Sequence, residues 1–285
     1  MNLKNWMSGL SETTLLSHIS IPGTHDSASF RSTAVGATFT QTQSWDIKAQ
    51  LIHGIRFLDA RCRLINDILT MHHGPVFLNQ YFGDILATCI SFLENNPTEF
   101  IILSVKQEHT EENSTKSFAG IMWDNYIAPN KSNFFLANEI PMIAEVRGKI
   151  VLLRRYGGSD AGINATPWKD DTTFSIKNSG FTIYVQDNYN GYTDLSIHFK
   201  RKFVEGLLKK AKNERLTNLY INFTSLSGIV SPYSGAKGHF WVDGMNSWFC
   251  KNYSGKQFLG IIVSDFVDLE NGAIIKTIIN SNNFI

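Results

Sequence analysis

Histidine, aspartate and arginine fall in this chain at places where they could move protons and hold an anion. His25, in PGTHDS, sits on a tight glycine-containing turn after an apolar run, with Asp26 beside it. His72 and His73, in MHHGP, are adjacent, so on an extended chain they point to opposite sides and one of them can face a site. Two imidazoles on separate loops suit paired general base and general acid work near neutral pH. Asp265, after the apolar run LGIIVS, either orients one imidazole and supports its charged form or makes a local cap. Arg61 shares a strand face with Phe57, Asp59 and Arg63, while Leu58, Ala60, Cys62 and Leu64 share the other. An arginine on an inward face needs an anionic partner, because an unpaired buried charge is costly. Asp59 supplies part of that need, and the remaining donors either complete a structural pair or grip a phosphate in a planar fork.

Two other chemistries fit poorly. Arg61 and Lys106 bring cations to places where calcium needs oxygen ligands, so no metal and no cofactor is expected. No G-x-S-x-G nucleophile motif is present; ISIPGTHDS and FTSLSG both depart from it.

The elements that must position these groups alternate between short β-type runs and longer helical ones. Strands are expected at Ile19–Pro22, Arg56–Leu64, Phe100–Val105, Ile150–Arg154, Phe181–Gln186, Tyr220–Thr224 and Leu259–Val263. Helical spacing marks Phe82–Leu93 and Ser196–Lys212. The second carries Ile197, Val204, Leu207 and Leu208 on one side and several lysines on the other, read here as a solvated outer face. Such alternation predicts an α/β fold with a parallel sheet. Polar residues recur where apolar runs stop: His25 and Asp26, Lys106, Arg155, Asp187 and Tyr189, and Asp265. In (β/α) barrels chemistry sits at the C-terminal strand ends, so these positions predict a barrel with its site on that rim.

Bulk properties narrow the partners. The chain has 285 residues, 43% hydrophobic and 18% charged, and a net charge of +1. That balance excludes a nucleic-acid binder driven by overall charge and any strong general attraction to anionic membranes. Cys62, Cys89 and Cys250 have neither disulfide-framework nor metal-ligand spacing, and Cys62 is expected to be buried. The segment MNLKNWMSGLSETTLLSH has no apolar core of signal-peptide length, and no run approaches the roughly 18 apolar residues of a membrane span.

Taken together and in order, ISIPGTHDS, HGIRFLDARCRL, MHHGP, FLENNPTEFIILSVKQE, RGKIVLLRRY, VQDNY, LYINFTSLSG and VSDF resemble the bacterial phosphatidylinositol-specific phospholipase C family, from about Trp6 to Asp265. The resemblance implies a distorted, incompletely closed (β/α)8 barrel forming one domain over residues 1–285. It implies that His25 is the general base, oriented by Asp265. His73, the histidine just before Gly-Pro, would be the general acid, partnered by Asp26. Arg61 would stabilise charge on the phosphate, and Lys106, Arg155, Asp187 and Tyr189 would bind the inositol ring. The implied reaction cuts phosphatidylinositol, without metal, to diacylglycerol and inositol 1,2-cyclic phosphate, and extends in principle to glycosylphosphatidylinositol anchors. The implied partners are the phosphatidylinositol headgroup and, peripherally, a membrane surface, with the enzyme a monomer acting outside the cell; a cytoplasmic location is the alternative. Phe39, Ile229 and Val230 take positions where the family inserts rim side chains into membranes. Two competing readings are a metal-dependent glycerophosphodiester phosphodiesterase and a catalytically dead inositol-lipid binding module.

Overall fold

The structure is a computed structural model, and it describes residues 2–31, 37–191, 195–214, 217–239 and 241–284. Among the described residues twelve strands make one sheet: β1 (Ile21–Thr24), β2 (Phe57–Ile65), β3 (Ile68–His73), β4 (Val76–Tyr81), β5 (Ile101–Gln107), β6 (Phe134–Phe135), β7 (Ile150–Arg155), β8 (Ile163–Asn164), β9 (Thr173–Lys177), β10 (Thr182–Gln186), β11 (Leu219–Phe223) and β12 (Ile261–Ser264). The spatial order is β6-β7-β5-β2-β1-β12-β11-β10-β9. From β7 to β10 every neighbouring pair is parallel, and β9 runs antiparallel to β10 at one edge. Among the described residues the two edges do not pair, so the barrel is open. The expected strands are all present, with the first displaced to Ile21–Thr24.

That displacement changes the account of His25. Gly23 lies inside β1, not in the turn, and a Cβ there would come within 2.9 Å of the Phe57 side chain. Glycine lets β1 approach β2 closely enough to seat His25 and Asp26 at the rim. Asp26 itself adopts φ 39°, in the left-handed region that aspartate tolerates better than most residues.

The face alternation read from β2 holds. Leu58, Ala60, Cys62 and Leu64 are buried with the helices, and Asp59 and Arg61 turn inward. The antiparallel hairpin β3–β4, which the sequence did not suggest, extends from the C-terminal half of β2 through the Cys62↔Met71 and Leu64↔Leu69 pairs. Helices Phe82–Asn95 and Ser196–Asn213 cover the sheet where the spacing placed them. No helix among the described residues is long and apolar enough to cross a membrane.

At the N-terminal ends of the strands, Arg56 and Glu99 are both fully buried. Arg56 Nε and Nη2 donate to Glu99 Oε2 at 3.0 and 2.8 Å, and its other donors take the carbonyls of Lys4, Leu51 and Ile55. This pair closes the barrel floor, the end that serves stability in such folds.

Candidate active site

The strand register sets three cations abreast. Arg61 on β2 pairs in register with Lys106 on β5, and Lys106 with Arg155 on β7. Three like charges on neighbouring strands require carboxylates between them. Asp59 provides one: its Oδ2 accepts Arg61 Nε at 3.0 Å and its Oδ1 accepts Arg155 Nη1 at 2.9 Å. Burial disfavours the Asp59 charge, but Arg61 and Arg155 outweigh it and hold the carboxyl well below its ordinary range. Glu108 provides the other, 2.6 Å from Lys106 Nζ and 3.8 Å from Arg61 Nη1, and it accepts the Gly74 backbone N–H at 3.0 Å. It too is kept low by Arg61 and Lys106 against the effect of burial.

The two imidazoles are each backed by a carboxylate. His25 Nδ1 lies 2.8 Å from Asp265 Oδ1, and His73 Nδ1 lies 2.5 Å from Asp26 Oδ2. With Nδ1 donating to the carboxylate, each Nε2 is left for chemistry. His72, on the other face of β3, is buried with its ring 5.5 Å from that of Phe77. The turn around His25 is tied down by its neighbours: Gln43 Nε2 donates to the carbonyls of His25 and Ser264, and Thr42 Oγ1 to those of His25 and Asp26. Burial and then the Arg61 charge push His25 well below the ordinary imidazole value, which keeps it neutral and ready to accept a proton. Burial pushes Asp265 and Asp26 up; Lys200 and Arg61 oppose it at Asp265, and the His73 hydrogen bond opposes it at Asp26.

These groups surround one cavity of about 540 Å³. His25, His73, Arg61, Lys106, Arg155, Asp187 and Tyr189 all line it, and Asp26 and Asp265 stand behind the imidazoles they orient. Tyr189 OH donates to the Asp170 carboxylate at 3.0 Å, and Trp168 Nε1 donates to Asp187 Oδ2 at 3.0 Å. The Arg155 guanidinium lies 3.7 Å from the Trp168 ring centroid, a stacking that fixes its plane. Among the described residues no three His, Cys, Asp or Glu side chains are grouped to hold a metal ion.

A family model described as "Phosphatidylinositol-specific phospholipase C, X domain" matches residues 19–156. A "1-phosphatidylinositol phosphodiesterase" of Staphylococcus aureus (strain Newman) is 32% identical over 98% of this chain and 94% of its own length. Another, of Listeria monocytogenes, is 33% identical over 99% of this chain and 86% of its own length. A solved phosphatidylinositol-specific phospholipase C of S. aureus, studied for modulation of its membrane binding, superposes with a TM-score of 0.88 at 31% identity, covering 99% of this chain and 98% of that one. The chain belongs to the phosphatidylinositol-specific phospholipase C family.

Within that family's frame, several groups at the site escaped the sequence reading. Glu108 carried a signal, since it shares the parity of Lys106 two residues earlier at the same strand end. Trp168 and Asp170 come from a connection between β8 and β9, and nothing local marks them. Lys200 belongs to the helical face read as solvated, yet it is 1% exposed and its Nζ reaches Gln186 Oε1 at 3.0 Å. It sits on the apolar stripe with Ile197 and Val204, one helical turn from each, which is the pattern that would have placed it inward.

The rim positions divide. Phe39 is 52% exposed and Ile229 76%, but Val230 is 5% exposed and unavailable to a membrane. Its backbone N–H bonds the Gly191 carbonyl at 3.1 Å and its side chain packs over Gly191, where the missing Cβ leaves room. Trp241 is fully exposed.

Proposed function

We propose that this phosphatidylinositol phosphodiesterase cuts its substrate by metal-independent general acid–base catalysis in the cavity between His25 and His73. The observation that carries the reading is the pairing: two imidazoles, each on its own carboxylate, share one cavity with Arg61.

The steps follow from the free Nε2 atoms. His25 Nε2 takes the proton of the inositol 2-hydroxyl, and that oxygen forms a bond to phosphorus. The phosphorus–oxygen bond to diacylglycerol breaks, and His73 Nε2–H protonates the leaving oxygen. The nucleophile is part of the substrate, so its proximity supplies much of the acceleration. Arg61 meets the charge that builds on the phosphoryl oxygens, held in place by Asp59 and Glu108. In a second step the roles reverse: His73 takes a proton from water, the water oxygen bonds to phosphorus, the bond from phosphorus to the inositol 2-oxygen breaks, and His25 returns its proton to that oxygen. Lys106, Arg155, Asp187 and Tyr189 hold the ring, with Tyr189 against its face.

The enzyme acts on phosphatidylinositol presented by a membrane, reached through Phe39, Ile229 and Trp241 as peripheral contacts and meeting its substrate outside the cell. Product analysis tests the chemistry. In excess chelator, phosphatidylinositol is expected to give diacylglycerol and inositol 1,2-cyclic phosphate first and inositol 1-phosphate later. Direct appearance of inositol 1-phosphate with no cyclic precursor would overturn the internal attack.

A further inference from the structure

Lysine is an expensive residue to bury, and Lys200 is buried on a helix stripe where a methionine would fill the same space. What lysine adds there is a cation and a set of donors, and both have definite targets. Nζ donates to Gln186 Oε1 at 3.0 Å and to the Asn188 carbonyl at 2.5 Å. Gln186 Oε1 also accepts the Asn188 N–H at 2.9 Å, and the Gln186 amide donates to Asn222 Oδ1 and to the Phe223 carbonyl, both at 2.7 Å. The residues on either side of Asp187 are therefore tied to one ammonium and, through Gln186, to the neighbouring strand β11. Asp187 and Tyr189 line the cavity on that short segment, which Trp168, Asp170, Asp171, Thr172, Thr173 and Ser227 also support by hydrogen bonds.

We propose that Lys200 is a positioning residue: it clamps the Gln186–Tyr189 segment so that Asp187 and Tyr189 meet the inositol ring, and its charge supports the buried Asp187 and Asp265 carboxylates. This rests on Asp187 and Tyr189 being ring-binding residues. Lys200 faces Asp187, Asp265 and Asp171, and burial lowers its ammonium to about 7 against their pull. Below that pH it is cationic, and even when neutral it keeps two N–H donors for its two acceptors. His25 in turn faces Asp265, Asp59, His73 and the cations Arg61 and Lys200. Removing the lysine charge lets His25 hold its proton to higher pH.

The test compares Lys200→Met and Lys200→Gln with wild type on soluble inositol 1,2-cyclic phosphate, with Asp187→Asn as the control for the ring assignment. Lys200→Gln keeps a donor and serves if the methionine variant fails to fold. At plateau pH, KM is expected to rise about tenfold in either Lys200 variant while kcat changes by less than about threefold. The acid limb of kcat/KM is expected to move up by about half a pH unit. Lys200→Arg, which keeps the charge, is expected to retain the wild-type limb. A raised KM in Asp187→Asn together with wild-type KM and wild-type acid limb in a folded Lys200 variant would overturn the role of Lys200 alone. A wild-type KM in Asp187→Asn would remove the ring assignment beneath it.

Discussion

Arg61 reaches the cavity with its Nε held 3.0 Å from Asp59 Oδ2, so the guanidinium is fixed by a buried carboxylate while it lines the same cavity as the two imidazoles. Asp59 is fully buried and holds Arg155 by its other oxygen. One carboxylate thus sets the position of two arginines that line the cavity.

Loss of either proton carrier should stop turnover without unfolding the chain. His25→Ala and His73→Ala are each expected to lower kcat about 10²–10⁴-fold, the usual worth of a general acid or base, with thermal midpoints near wild type. A rate assay paired with circular dichroism melting checks both halves. Near-normal rates in either variant would remove that histidine from the mechanism.

The pH profile follows from His25. The base works when neutral, and burial with the Arg61 charge depresses its pKa below 6.5. Protonation therefore sets in only at lower pH, and the acid limb of kcat/KM is expected to fall below pH 6.5. Asp265→Asn removes the carboxylate that favours the charged imidazole and should lower kcat about 10²-fold or more, as loss of an orienting aspartate does. An acid limb above 6.5 in wild type would contradict the electrostatic account.

The barrel floor separates stability from catalysis. Glu99→Gln strands the fully buried Arg56 charge and is expected to cost about 3–5 kcal/mol of stability. Glu99 precedes β5, whose far end carries Lys106, so kcat below the melting range should remain within about twofold of wild type, as expected for a site distant from the chemistry. Denaturant unfolding and a rate measurement on the same sample check this.

Much of this arrangement was legible in the chain because the relevant signals are local. Strand ends mark the rim and parity separates Arg61 from Cys62, while the choice of His73 over His72 rests on the family resemblance, whose histidine stands just before Gly-Pro. What stayed hidden depends on tertiary contact. Lys200 looked like one more solvated lysine because charge outweighed its place on the Ile197–Val204 stripe. Val230 looked like a loop residue free to insert, but it is buried and packs closely over Gly191. Trp168 and Asp170 reach the cavity from a connection whose path no local pattern specifies.

The same exposure data predict membrane behaviour. Phe39→Ser, Ile229→Ser and Trp241→Ala are each expected to weaken partition to phosphatidylinositol-containing vesicles by about tenfold, less than the ~1.5–3 kcal/mol of a fully buried side chain would allow. Hydrolysis of soluble inositol 1,2-cyclic phosphate should be unchanged in all of them. Val230→Ser should instead lower the melting temperature, and a vesicle-binding defect in that variant at full stability would contradict its burial.

In the proposed mechanism Arg61 supplies, as a fixed cation, the charge stabilisation that a divalent ion gives elsewhere. The direct measurement is kcat on phosphatidylinositol in excess chelator for wild type and for Arg61→Lys, both confirmed as folded. Wild type is expected to be unaffected by chelator, and the lysine variant to fall about 10²–10³-fold, since an ammonium cannot reproduce the planar fork. Chelator-sensitive wild-type turnover, or a fully active Arg61→Lys, would contradict it.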